Sequence, residues 1–163
     1  MPAAIRCAIM DDVPAIAGIV DAAYRPYIPR IGKPPGPMLD DHGARVAEGA
    51  AWVLVEGAEV LGVIVLLPRP DHLLLDNVAV APTHQGRGLG RRLVAFAEDE
   101  ARRRSLAEVR LYTHALMHEN RLLYLRLGFE ETGRGRQAGY DRVFMRKCVS
   151  EGGSAVQEPV TRN

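Results

Sequence analysis

The run Val78-Ala79-Val80-Ala81-Pro82-Thr83-His84-Gln85-Gly86-Arg87-Gly88-Leu89-Gly90-Arg91-Arg92-Leu93 changes its pattern twice. It begins as apolar, strand-forming residues, and Pro82 stops the strand because proline has no N–H to give a ladder. After three alternate glycines, Leu89, Leu93, Phe96, Ala97 and Ala101 recur at helical spacing, with charged residues elsewhere on the wheel. The stretch therefore predicts a strand, a glycine-rich turn over 85–90, and an amphipathic helix from Leu89 to Arg104. Such a helix start offers unpaired N–H groups and the positive end of its dipole, and glycines let an anion approach the main chain. Arg87, Arg91 and Arg92 add local positive charge.

Two familiar phosphate turns are excluded by spacing. A P-loop needs Gly-Lys followed by Ser or Thr, where this chain has Gly88-Leu89-Gly90-Arg91. A dinucleotide fingerprint needs Gly-x-Gly-x-x-Gly, and the third place falls on Arg91 or on Leu93. A merely flexible connection leaves the entropic cost of three glycines without a reason.

Working outward, Ile5 to Ile9 reads as a short strand, and Asp11-Asp12-Val13-Pro14 as a helix start. Between Pro26 and Pro37 stand five prolines and two glycines, which predict a long loop carrying Tyr24, Tyr27, Arg30 and Lys33. Met38 to Ala50 predicts a weaker second helix. Ala51 to Val55, Val60 to Leu67 and Leu73 to Val80 predict an antiparallel meander. Downstream, Val109 to His114 predicts a strand, Glu119 to Leu127 a short helix ended by Gly128, and Tyr140 to Cys148 a last strand.

With 163 residues the chain fits one domain, here 1–148, followed by a polar tail over 149–163 that is expected to be flexible. Lys plus Arg number 21 against 20 for Asp plus Glu, so no global field attracts nucleic acid or anionic lipid. Cys7 and Cys148 stand far apart with no metal-ligand spacing, so neither a disulfide framework nor a metal site is expected. No secretory signal pattern is seen at the start, and the longest apolar run falls far short of the ~20 residues that span a bilayer. A cytoplasmic protein without a membrane partner is the expectation.

Gln85-x-x-Gly88-x-Gly90 after a Val-Ala-Val strand resembles the Gln/Arg-x-x-Gly-x-Gly/Ala signature of the GNAT superfamily of N-acetyltransferases. Asn120 followed by Tyr124-Leu125-Arg126-Leu127-Gly128-Phe129 resembles a second block of that superfamily, and Ile5 to Asp12 resembles its start. The resemblance implies an α/β fold: a mixed, mostly antiparallel sheet of six or seven strands, helices on both faces, and a splayed cleft between strands 4 and 5. It implies transfer of an acetyl group from acetyl-CoA to a primary amine by direct attack in a ternary complex, the amine being a small molecule or a peptide. Main-chain groups of Val78, Ala79 and Val80 would hold the pantetheine arm. The pyrophosphate would meet Gly86, Arg87, Gly88, Leu89, Gly90 and Arg91, with Gln85 beside it.

By the same resemblance Tyr124 stands near the coenzyme sulfur. A coenzyme thiol near about 8.5 loses its proton more easily than a phenol near about 10, so hydrogen bonding during departure is a better role than outright proton transfer. The alternative reading of Tyr124 is a core residue packing helix on sheet. Asp76 and His114 border the expected cleft, and each is a candidate base or a structural residue. Asn120 is either a coenzyme contact or a helix cap. Tyr24, Tyr27 and Asn77 are the candidate acceptor contacts. Two rival readings stay open, a non-catalytic acyl-CoA sensor and a protein-interaction module, and a homodimer is one expectation for a sheet of this size.

Overall fold

The structure, a computed structural model, describes residues 2–149. Its strands are β1 (Ala4–Cys7), β2 (Ala51–Glu56), β3 (Glu59–Pro68), β4 (Leu73–Val80), β5 (Glu108–His114), β6 (Glu130–Gln137) and β7 (Tyr140–Cys148). The helices are α1 (Val13–Tyr24), α2 (Ile28–Ile31), α3 (His42–Ala47), α4 (Leu89–Arg103) and α5 (His118–Arg126). The strands form one seven-stranded mixed sheet in the order β1-β2-β3-β4-β5-β7-β6. The described residues fall into two compact units: one comprises 2–67 with Asp76–Val94, the other Pro68–Leu75 with 95–149.

In the first unit β1, β2 and β3 pair antiparallel, and Val53, Leu54, Leu61, Val63, Ile64 and Leu66 are buried. The unbroken burial from Leu61 to Leu66 marks a strand covered on both faces. Gly62 interrupts that apolar run for a steric reason: a Cβ there would lie 3.1 Å from Ala79 O and 3.1 Å from Leu93 Cδ1. The missing side chain lets the first turns of α4 press onto β3. In α1, Ile16, Ile19, Val20 and Tyr24 turn inward at helical spacing.

The expectation of a loop from Pro26 to Pro37 is corrected by the structure. Arg25–Tyr27 and Gly36–Leu39 are 3-10 turns and Ile28–Ile31 is a single α-helical turn closed by Gly32. Pro26, Pro29 and Pro37 occupy first-turn positions, where the missing N–H would have had no helical partner anyway, and Pro35 is the N-cap of the last turn. The second helix is also shorter than expected; Asp41 Oδ1 caps it by accepting from Ala44 N–H at 3.0 Å.

In the second unit β4 pairs with β5 in parallel at Leu73↔Val109, Leu74↔Arg110 and Leu75↔Leu111. β4 itself runs on to Val80, beyond these registered pairs. A parallel neighbour demands a crossover, and the turn with α4 supplies it. β5 and β6 both pair antiparallel with β7. Gly128, at φ 97°, ends α5 as expected. Val149, placed in the tail by the sequence, is buried and donates to Ala107 O at 2.9 Å; the remainder of that tail, 150–163, lies outside the described residues.

Candidate active site

β4 ends where Ala81 N–H donates to Leu61 O at 2.8 Å, and Pro82–His84 then makes one 3-10 turn. Gly86 and Gly88 follow at φ 85° and 75°, a region that L side chains rarely adopt. A Cβ built on either meets nothing within 4 Å, so the surface beside both glycines is open. Arg92 N–H donates to Gly88 O at 3.1 Å, making the first bond of α4. The N–H groups of Leu89, Gly90 and Arg91 therefore precede the helical ladder, at the positive end of a 15-residue helix. Leu89 itself is buried and anchors the turn. At Gly90 a Cβ would sit 4.0 Å from Val80 Cγ2, room enough for a methyl group.

The cations of the turn divide into two kinds. Arg87 is committed: Nη2 donates to Glu56 at 2.9 Å and Nη1 lies 3.0 Å from His84 Nδ1. His84 Nε2 is in turn 3.0 Å from Glu59, so the two ends of the β2–β3 hairpin hold the turn through both side chains. The Arg87 guanidinium keeps the Glu56 carboxyl below the usual carboxylate range. Arg91 and Arg92 are exposed and, among the described residues, have no ion pair. The sequence alone offers Arg87 and Arg91 alike as pyrophosphate contacts and gives no sign of Glu56, His84 and Glu59 as partners, whose signal lies only in the fold. Gln85 Nε2 points back to Val80 O at 3.4 Å.

Along β4, Leu73, Leu75, Asn77 and Ala79 are buried while Leu74, Asp76, Val78 and Val80 are half-buried, the alternation of a strand with two unlike faces. The Tyr24 hydroxyl lies 2.8 Å from Asn77 Oδ1 and 3.0 Å from Val78 O, acceptors that share its one proton. Two of the candidate acceptor contacts thus bond to each other. The third, Tyr27, is half-buried beneath the Arg30 guanidinium, 5.1 Å from its ring centroid.

In the second unit His114 is buried at the end of β5, and its Nδ1 accepts from Leu116 N–H at 3.0 Å. In the neutral ring that bond puts the proton on Nε2. Tyr124 is buried in α5 with its ring 5.8 Å from that of Phe129, edge to face. Asn120 is the third residue of α5 and half-buried; the cap position belongs to Met117, so Asn120 is not the cap. Among the described residues no three His, Cys, Asp or Glu side chains gather so as to hold a metal ion, and no helix is long and apolar enough to cross a membrane.

A family model described as the acetyltransferase (GNAT) family matches residues 16–129, the stretch that contains the turn, β4, β5 and α5. The chain belongs to that family. It is 33% identical over 93 residues to N-acetyltransferase 8F1 of Rattus norvegicus, covering 53% of this chain and 42% of that protein. The chain thus spans about two fifths of the length of the curated relatives it matches. Among solved structures it is similar to the ribosomal-protein-S18-alanine N-acetyltransferase of Escherichia coli, with TM-score 0.72, 22% identity, and 96% and 100% of the two chains covered. It is similar also to the PaiA N-acetyltransferase of Thermoplasma acidophilum in complex with coenzyme A, with TM-score 0.74, 17% identity, and 91% and 99% covered. At these identities the likeness to solved structures speaks for the fold.

Proposed function

We propose that this GNAT protein transfers an acetyl group from acetyl-CoA to a primary amine by direct attack in a ternary complex. The observation that carries the reading is the open turn at Gly86 and Gly88 in front of the unladdered N–H groups of Leu89, Gly90 and Arg91. Those groups suit a pyrophosphate, and Arg91 and Arg92 bring charge that no carboxylate has claimed. Bound there, acetyl-CoA supplies an activated thioester. The part of β4 from Asp76 to Val80 gives main-chain groups to the pantetheine amides, a form of strand addition.

The acceptor must be a neutral amine, whose ordinary pKa of about 10.4 calls for a proton acceptor near it. Asp76, on the half-buried face of β4, takes that role better than His114, whose Nδ1 lone pair already receives a backbone N–H. Tyr124 hydrogen-bonds the departing sulfur, and Asn120 faces the coenzyme arm. Tyr24 and Asn77 shape the acceptor side of β4 as a bonded pair rather than as separate contacts. A reducing, cytoplasmic setting goes with this reading and keeps the exposed thiols of Cys7 and Cys148 unpaired.

Calorimetric titration with acetyl-CoA, coenzyme A and ATP tests the proposal, together with a thiol-release assay over an amine panel. Both coenzymes are expected to bind at least tenfold more tightly than ATP, with thiol release on adding an acceptor. Binding without release from any amine would favour the sensor reading, and no coenzyme binding would overturn the function.

A further inference from the structure

Arg142 is 91% buried, taking its relative exposure of 9%, on β7, and its Nε–H has no hydrogen-bond partner. It differs in this from the other cations of the second unit's strands. Arg110 holds Glu108, Arg134 holds Glu131, Arg136 holds Asp141, Arg146 holds Glu130 and Lys147 holds Glu98. Among the described residues no carboxylate pairs with Arg142. Its guanidinium lies instead over two aromatic rings, 4.3 Å from the centroid of Tyr112 and 5.0 Å from that of Tyr140. A buried guanidinium stays charged, and ring faces stabilise that charge without giving Nε–H an acceptor.

The strand register explains how the cluster is built. His114 is opposite Arg142, and Tyr112 and Tyr140 are each two residues from that pair, so all four side chains share one face of the β5–β7 ladder. The His114 and Tyr140 rings meet edge to face at 6.0 Å. The result is one unneutralised cation walled by aromatic rings, which exclude water and strengthen whatever hydrogen bond the guanidinium makes. Planar N–H groups in a fork match a carboxylate, and a single positive charge matches a singly charged anion better than a phosphate dianion.

We propose that Arg142 is a recognition site for a carboxylate on the acceptor, so that the amine acetylated by this protein belongs to a molecule that also carries a carboxylate. The inference rests on the N-acetyltransferase reading and deepens it. Because Arg142 and His114 are registered partners, the carboxylate is held beside the end of β5, and Tyr112 and Tyr140 line its seat. Arg142 lies beyond the residues matched by the family model, so the feature is read from this chain alone.

The test uses the purified protein with 4-aminobutyrate and 6-aminohexanoate, each against its own amide, because the methylene spacer keeps the amine almost equally basic in both forms. Binding is read by calorimetry with coenzyme A present and absent, and kcat/KM by thiol release from acetyl-CoA. The acids are expected to bind at least tenfold more tightly than the amides, with the same preference in KM. In Arg142→Met the ratio of acid to amide falls to near one, and in Arg142→Lys, which keeps the charge without the planar fork, it falls at least threefold. Equal binding of acid and amide by the wild-type protein overturns the inference, as do failure of any panel acid to bind and a preference that survives both substitutions. Titration with acetyl-CoA alone separates the two claims: coenzyme binding with no carboxylate preference sinks the Arg142 site and leaves the acetyltransferase reading standing.

Discussion

Tyr24 Oη lies 2.8 Å from Asn77 Oδ1, tying the end of α1 to the middle of β4 across 53 residues of sequence. Both residues are buried, so each is the other's replacement for water. Tyr24→Phe keeps the ring and removes only the donor, leaving a buried carboxamide oxygen short of a partner. Such a loss costs about 1–3 kcal/mol. At about 2–4 °C per kcal/mol for a chain of this size, the melting temperature should fall measurably. An unchanged thermal transition would show that the bond does not stabilise β4.

Asp12 gives a prediction in pH. Its carboxylate accepts from Arg6 Nη1 at 2.8 Å, Arg6 Nη2 at 3.1 Å and Ile9 N–H at 2.8 Å. The Arg6 hydrogen bonds hold its pKa below the usual range, the Ile9 N–H assists, and burial opposes them. Because the folded value is the lower one, the stabilisation is present in full above the unfolded value of about 3.9 and is lost as pH falls through the folded value. Asp12→Asn should therefore be less stable than the wild type at neutral pH by on the order of 1–3 kcal/mol. The gap should close in acid, and denaturant titrations from pH 7 to pH 2 that show a constant gap would remove Asp12 from the acid response.

The glycines of the turn should separate by substitution. At Gly88 the φ of 75° disfavours any side chain, by about 1–2 kcal/mol, while the open surface means that no protein atom is struck. Gly88→Val is expected to fold with a modestly lower melting temperature and to bind acetyl-CoA at least tenfold more weakly, because its side chain occupies the place of the phosphates. Gly90→Ala should bind the coenzyme nearly as well as the wild type, since a methyl there makes only an ordinary contact with Val80. Equal affinity in Gly88→Val and wild type, measured by calorimetry, would defeat the phosphate assignment.

The strand–turn–helix was legible because its signals are local: Pro82 ends a ladder, glycines alternate, and Leu89, Leu93, Ala97 and Ala101 repeat on one buried stripe. β6 was not, since Glu130–Gln137 has no apolar alternation and every one of its residues is exposed. Pairing with β7 makes it a strand. The run of prolines misled for a related reason: composition reports what proline forbids inside a helix, not that the first turn tolerates it. Arg87 and Arg142 could not be told from other arginines by sequence. What separates them, Glu56 for one and two tyrosine rings with an unpaired Nε–H for the other, comes from residues 31 and up to 30 positions away.

Tyr124 allows the sharpest division between chemistry and packing. Its ring meets Phe129 at 5.8 Å, so a purely structural tyrosine would be replaced by phenylalanine at little cost in turnover. A tyrosine that hydrogen-bonds the departing sulfur contributes chiefly while charge develops on that atom, and the coenzyme is held mainly elsewhere. Tyr124→Phe should therefore lower kcat by about tenfold or more while changing the dissociation constant of acetyl-CoA by less than about twofold. Calorimetry gives the second quantity and thiol release the first. Equal kcat in the two proteins would assign Tyr124 to the core and leave departure of the sulfur to its own acidity.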